Sequence, residues 1–300
     1  MDALINGIKV PHGLLGDLKE THLEEYDDTS LRNSLEQDGY LFLKNVFKPE
    51  KIIKARNDIF KILNEVKELK DPFSDGIASG ESIRDQIHKD RGVFWKNLSS
   101  TKSLRDVTNG NVLKSVFTRI FGSSAKGFDF IFLRAVAGGK FTAMHCDAGF
   151  FTRKSEKVLT CWLVFTDITI DKGPLFIIEG SHKYKDILQK FKGFDVDLHK
   201  DKKATIDKHP VQFAQERNTK ILTADFKPGD ALIFGMYTVH GTFENHAKDQ
   251  KIRLTCDVRY QPENEPKDPR YFGNNPTGTT GAGYAELNSA RPLNEDWHTR

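Results

Sequence analysis

The apolar pattern changes character along the chain. In the first part it has helical spacing: Ile52, Ile53, Phe60, Leu63 and Val66 share one face of a helix opened by Pro49, where the missing N–H costs nothing. Residues 30–38 also read as a helix, and 111–121 as another that stops at Gly122. Between the first two, residues 39–47 are aromatic and β-branched and read as a strand. From Phe128 the pattern becomes strand-like, with strands predicted over 128–136, 141–147, 158–166, 175–179, 221–224, 231–240 and 251–261 and a turn at Gly138-Gly139.

The remaining segments read as connections. Residues 1–28 are mixed and polar and should wrap the surface. Residues 71–100 are turn-rich and irregular, and 184–220 are charged and irregular apart from a short helix near 184–191. Helices precede strands, which is not the alternation of a parallel βαβ sheet. The predicted fold is mainly β with flanking helices: a double-stranded β-helix, or jelly roll, of antiparallel sheets with N-terminal helices packed outside. One domain is expected over 1–300, helix-rich to 125, with the jelly-roll core at about 126–262 and a loop-rich tail over 263–300.

Composition adds constraints. Hydrophobic residues at 38% and charged residues at 29% describe an ordinary soluble globular protein. The balance of 45 basic against 42 acidic residues is too even for a nucleic-acid footprint, and the densest basic run, 199–203, is broken by Asp201. No apolar run is long enough for a membrane span, and neither a signal peptide nor a peroxisomal C-terminus is expected. Cys146, Cys161 and Cys256 form no CxxC pair and lie in apolar stretches, so buried thiols in a reducing, cytoplasmic compartment are expected. No obligate protein partner is evident.

The candidate chemistry lies in the strand-rich half. Side chains at i and i+2 of a strand share a face, so His145 and Asp147 should project together with Cys146 turned away. His240 follows 93 residues after Asp147 and needs tertiary folding to join them. Two imidazoles and a carboxylate can form a facial metal site with open positions. Over 251–260 the period is again two, with Ile252, Leu254, Cys256 and Val258 on one face and Arg253, Thr255, Asp257 and Arg259 on the other. The polar face either is wet or lines an interior, where each group needs a partner. Other histidines lack paired spacing: His182 should pack or cap its turn, and His246 lies in a polar loop.

Four ordered segments carry a family resemblance: Asp38-Gly-Tyr-Leu-Phe-Leu-Lys-Asn-Val-Phe, Met144-His-Cys-Asp147, Gly173-Pro-Leu-Phe-Ile-Ile-Glu-Gly-Ser-His182, and His240-Gly-Thr followed by Arg253-Leu-Thr-Cys-Asp-Val-Arg-Tyr-Gln-Pro262. Together they resemble the phytanoyl-CoA dioxygenase (PhyH-like) group of Fe(II)/2-oxoglutarate-dependent oxygenases. The resemblance implies His145, Asp147 and His240 as iron ligands and no catalytic residue beyond them. It implies Arg253 as the clamp on the distal carboxylate of 2-oxoglutarate, assisted by Thr242, with Trp162 near the cosubstrate. The gap of 13 residues from His240 to Arg253 is long for the family, which leaves Lys251 and Arg259 as alternative clamps. The implied reaction consumes O₂ and 2-oxoglutarate, hydroxylates a C–H bond of a small molecule and releases succinate and CO₂, with ascorbate as a possible stimulant. Residues 71–100 and 184–220, with Arg84, Arg91, Phe94, Trp95 and Phe191, are the expected walls of the substrate site. The alternative is a non-catalytic or zinc-binding jelly-roll (cupin-like) binding protein, which has no need of Arg253 and Thr242.

Overall fold

A computed structural model of the chain describes residues 2–296. The C-terminal tripeptide and His298 lie outside these.

Two sheets face each other. The larger runs Glu20–Thr21, Tyr40–Leu43, Ala231–Gly235, Leu159–Val164, Arg253–Pro262, Ala125–Gly127, and Phe132–Val136 also pairs with Arg253–Pro262. The smaller runs His240–Thr242, Leu175–Ile178, Ile221–Thr223, Leu15–Asp17. Pairing is antiparallel except at two edges, where the N-terminal arm adds Leu15–Asp17 and Glu20–Thr21 in parallel. The arm is thus woven into both sheets rather than wrapped over them. The jelly-roll layers do not close into a barrel, and helices cover the outer face of the larger sheet.

Alternation explains the layering. Tyr40, Phe42, Trp162, Val164, Leu232 and Phe234 of the larger sheet meet Leu175, Ile177 and Leu222 of the smaller one in a cluster between the layers. The opposite set, including Leu41, Leu43, Cys161, Leu163, Leu254, Cys256 and Val258, packs against the helices. On the Arg253–Pro262 strand this leaves Arg253, Thr255, Asp257 and Arg259 turned between the layers. They are 1%, 0%, 6% and 3% exposed, so the wet-face reading of this strand is excluded.

Helix Asp28–Asp38 starts where the Asp27 side chain accepts from Ser30 N at 2.7 Å. It ends at Gly39, φ +79°, where a Cβ would also collide with the His182 ring. His182 thus packs against the Gly39 turn rather than its own, with its Nε2 3.1 Å from Glu36 O. Helix Pro49–Glu65 buries Ile52, Ala55, Ile59, Phe60 and Leu63, whereas Ile53 is 44% exposed. Residues 71–100 are more regular than expected. Helices Arg84–Ile87 and Arg91–Ser99 form there, the second capped by Asp90 accepting from Val93 N at 3.0 Å. Arg84, Phe94, Trp95 and Phe191 are buried in the core and cannot serve as walls of a substrate site. Arg91 is half-buried and pairs with Asp85 and Glu295. Among the described residues of the tail, two short 3₁₀ turns, Gly283–Glu286 and Asn288–Ala290, are the regular elements.

Candidate metal centre

His145 Nε2 lies 3.5 Å from Asp147 Oδ1, and His240 Nε2 lies 3.9 Å from the same oxygen. The three donor atoms fall within 4.8 Å of one another, and all three residues are buried. Among the described residues, this is the one such group of His, Cys, Asp and Glu.

The expected strand over 141–147 does not form. His145 makes a single-residue bridge instead, donating its N–H to His240 O at 2.9 Å and accepting from His240 N at 2.9 Å. This reciprocal pair sets the two imidazoles side by side, with ring centroids 4.3 Å apart and the planes tilted by 52°. The chain then turns into the short helix Ala148–Phe151, and Asp147 already has helical backbone angles, φ −78° and ψ −13°. A tight turn, not strand alternation, therefore brings Asp147 beside His145.

Each donor is oriented by a second contact. His145 Nδ1 is 2.8 Å from Ala143 O, and His240 Nδ1 is 2.9 Å from Thr238 O. A proton on each Nδ1 satisfies these carbonyls and leaves the Nε2 lone pairs facing inward. Burial, then repulsion from His145, pushes His240 down to about 4, so it is neutral near pH 7. On Asp147, Oδ2 accepts from Thr160 Oγ1 at 2.6 Å and from Arg259 Nη2 at 2.9 Å, leaving Oδ1 turned to the imidazoles. Burial opposes the Asp147 charge, but the Arg259 guanidinium outweighs it and holds the carboxyl well below its ordinary value. Arg259 is itself held between the Phe132 and Phe151 rings, 4.4 and 4.2 Å from their centroids. Cys146 is buried off this face, its thiol pushed up to about 12 by burial.

A narrow cavity beside the triad is lined by Trp162, Thr242, Arg253, Arg134 and Asp257. Thr242 Oγ1 accepts from Thr142 N at 2.7 Å. Trp162 stands edge-on to Phe226, with centroids 4.9 Å apart. Arg134 Nε binds Asp257 Oδ2 at 2.7 Å. Arg253 has no acid: its Nη1 donates to Gly173 O, and its Nε has no hydrogen-bond partner. Gly173 holds that carbonyl from a positive φ of +73°, and a Cβ there would strike Phe243 O. Burial, then Arg134, pushes Arg253 down to about 9, and Asp257 pulls only weakly the other way. Of the alternative clamps, Lys251 is exposed and Arg259 is committed to Asp147.

The donor set fits a divalent metal. It comprises two imidazole nitrogens and one ionised carboxylate oxygen, each with its other heteroatom already engaged. Thr160 and the Arg134–Asp257 pair are absent from the sequence reading. Thr160 shares a strand face with Trp162 and stands in register with Arg259, so alternation marked it as inward but not its partner.

The family model described as phytanoyl-CoA dioxygenase (PhyH) matches residues 35–253. No curated protein matches the chain. Among solved structures, EctD from S. alaskensis in its apoform is 17% identical, covering 88% of each chain with a TM-score of 0.55. The non-haem alpha-ketoglutarate-dependent carbocyclase SnoK from nogalamycin biosynthesis is 17% identical, covering 93% of this chain and 98% of that one with a TM-score of 0.53. The epimerase SnoN, solved with Fe³⁺, alpha ketoglutarate and nogalamycin RO, is 16% identical, covering 82% and 86% with a TM-score of 0.52. At such identities these likenesses speak for the fold.

Proposed function

The chain belongs to the phytanoyl-CoA dioxygenase family of Fe(II)/2-oxoglutarate-dependent oxygenases, and we propose that it hydroxylates a C–H bond of a small-molecule substrate. The observation that carries this reading is the pairing of a buried His–Asp–His donor set with a buried, acid-free guanidinium in the same cavity. A site that only stored a metal has no use for the second part.

His145 and His240 would bind iron through Nε2, and Asp147 through Oδ1. Iron bound there supplies the oxidative chemistry, in which one atom of O₂ enters the substrate C–H bond while 2-oxoglutarate is cleaved to succinate and CO₂. Thr160 and Arg259, by occupying Oδ2, hold Asp147 to one-oxygen ligation and so keep coordination positions open. Arg253 offers its fork to the distal carboxylate of 2-oxoglutarate, a charge-assisted contact that offsets the guanidinium's desolvation. Thr242 lies on the same wall to add a hydroxyl, and Trp162 bounds the cosubstrate's flank. The free, buried cysteines support a reducing, cytoplasmic setting.

The test is anaerobic addition of Fe(II) and 2-oxoglutarate to the purified chain, followed by O₂ and ascorbate. A visible charge-transfer band and then succinate are expected. Neither band nor succinate would overturn the proposal. Asp147→Ala should abolish the band, and its survival would refute the ligand assignment.

A further inference from the structure

A cavity of about 740 Å³ lies beside His145, within the size range of small-molecule sites. Two of its lining residues touch His145. The Phe150 ring stands edge-on to the imidazole with centroids 6.4 Å apart, and Thr205 forms a β-bridge to His145. Phe150, Val196 and Ala204 give it an apolar floor, and Lys200, Lys202 and Lys203 stand on its rim.

Of the two acids in that lining, Asp197 is paired with a cation and Glu286 is held by neutral donors. Asp197 accepts from Arg153 Nη2 at 2.9 Å. Glu286 accepts from Thr279 N and Thr280 N, at 2.9 and 2.7 Å, and from Thr280 Oγ1 at 2.9 Å. Among the described residues, Lys200 and Lys202 have no ion pair, and Lys203 has a loose one, 3.8 Å from Asp207 with both side chains exposed. Three ammonium groups therefore stand over an apolar floor next to an iron-ligand candidate; the lining carboxylate without a cation is Glu286, and Asp201, between Lys200 and Lys202 in the chain, lines the adjoining pocket with Lys202 and Lys203.

We infer that the substrate is an amphipathic anion: an apolar body lying over Phe150 towards His145, and an anionic head held by Lys200, Lys202 and Lys203. The inference rests on the function proposed above and adds the substrate class. Exposed lysines bind weakly one at a time, so affinity must come from three acting on one head while the floor takes the body.

The test uses a matched pair of fluorescent probes, 1-anilinonaphthalene-8-sulfonate and its neutral counterpart N-phenyl-1-naphthylamine, titrated into the full chain at low ionic strength. The sulfonate should bind more tightly. The triple variant Lys200→Gln/Lys202→Gln/Lys203→Gln should weaken the sulfonate at least tenfold and leave the neutral probe and the melting temperature unchanged. Equal affinity for the two probes, or a sulfonate affinity untouched by the triple variant, would overturn the inference. The charge-transfer band is read separately. A missing band with lysine-dependent sulfonate binding refutes the oxygenase reading and leaves the anion site. A normal band with lysine-independent binding refutes the anion site alone.

Discussion

Replacing Arg253 with methionine should make the metal-free protein more stable and its use of 2-oxoglutarate worse. Arg253 is 1% exposed, and its guanidinium donates a hydrogen bond to Gly173 O. Burial pushes it down to about 9; at ~1.4 kcal/mol per tenfold, keeping it charged there costs on the order of 4–5 kcal/mol. Methionine fills much of the same space without a charge. It strands the Gly173 carbonyl, which costs about 1–3 kcal/mol, so a net gain of ~1–4 kcal/mol in the apo protein is expected. Urea unfolding followed by tryptophan fluorescence reads this. The same change removes a charge-assisted contact worth about 3 kcal/mol, so half-saturation of the anaerobic charge-transfer band should require over ~100-fold more 2-oxoglutarate. Loss of apo stability with an unchanged 2-oxoglutarate requirement would refute the reasoning, because Arg253 would then be a structural tie to Gly173 and not a clamp.

Thr160→Val removes one of the two donors on Asp147 Oδ2 and should weaken metal binding by about tenfold, with the fold retained; an unchanged metal titration would show that Arg259 alone suffices. Glu68 sits buried against Arg84 and Ser82, and burial, outweighing Arg84, raises its carboxyl above the ordinary value. The native state therefore holds a proton that the unfolded chain has lost, and wild-type stability should decline as pH rises from ~4.3 through the raised native value. Glu68→Gln should flatten that decline in urea midpoints, and a parallel pair of profiles would rule Glu68 out. Asp195 accepts from Arg153 Nε at 2.8 Å, Arg270 Nη2 at 3.0 Å and the N–H groups of Asp197 and Leu198. Asp195→Asn should cost about 3 kcal/mol, since Asp268 still holds Arg270, and should loosen the rim lysines; a loss under ~1 kcal/mol in urea unfolding would show that the segment is anchored elsewhere.

What the sequence could and could not show about this site follows from how far each signal reaches. Alternation is local, and it separated Arg253, Thr255, Asp257 and Arg259 from the apolar face of their strand. It could not say whether that polar face met water or a second layer, because the answer lies in other strands, Leu15–Asp17, Leu175–Ile178, Ile221–Thr223 and His240–Thr242. Nor could it show that His145 would reach His240 through an isolated bridge and a turn, since residues 141–147 carry strand-like composition but form only isolated bridges, from His145 to His240 and Thr205. The buried helices of 71–100 were hidden by a similar effect: Arg84 reads as a surface charge until Glu68 and the carbonyls of 289–291 surround it. The pairing of charges is the part no local pattern contains, and it supports the clamp proposed above. Between the layers stand Arg134, Arg253 and Arg259 against Asp147 and Asp257. Arg134 takes Asp257 and Arg259 takes Asp147. Both acids are then spent, so the one cation left without an acid is Arg253, in the cavity that borders the two histidines. An interior that leaves one buried guanidinium unpaired in this way is less stable than it could be, and a dicarboxylate ligand that arrives with the metal gives that cost a purpose.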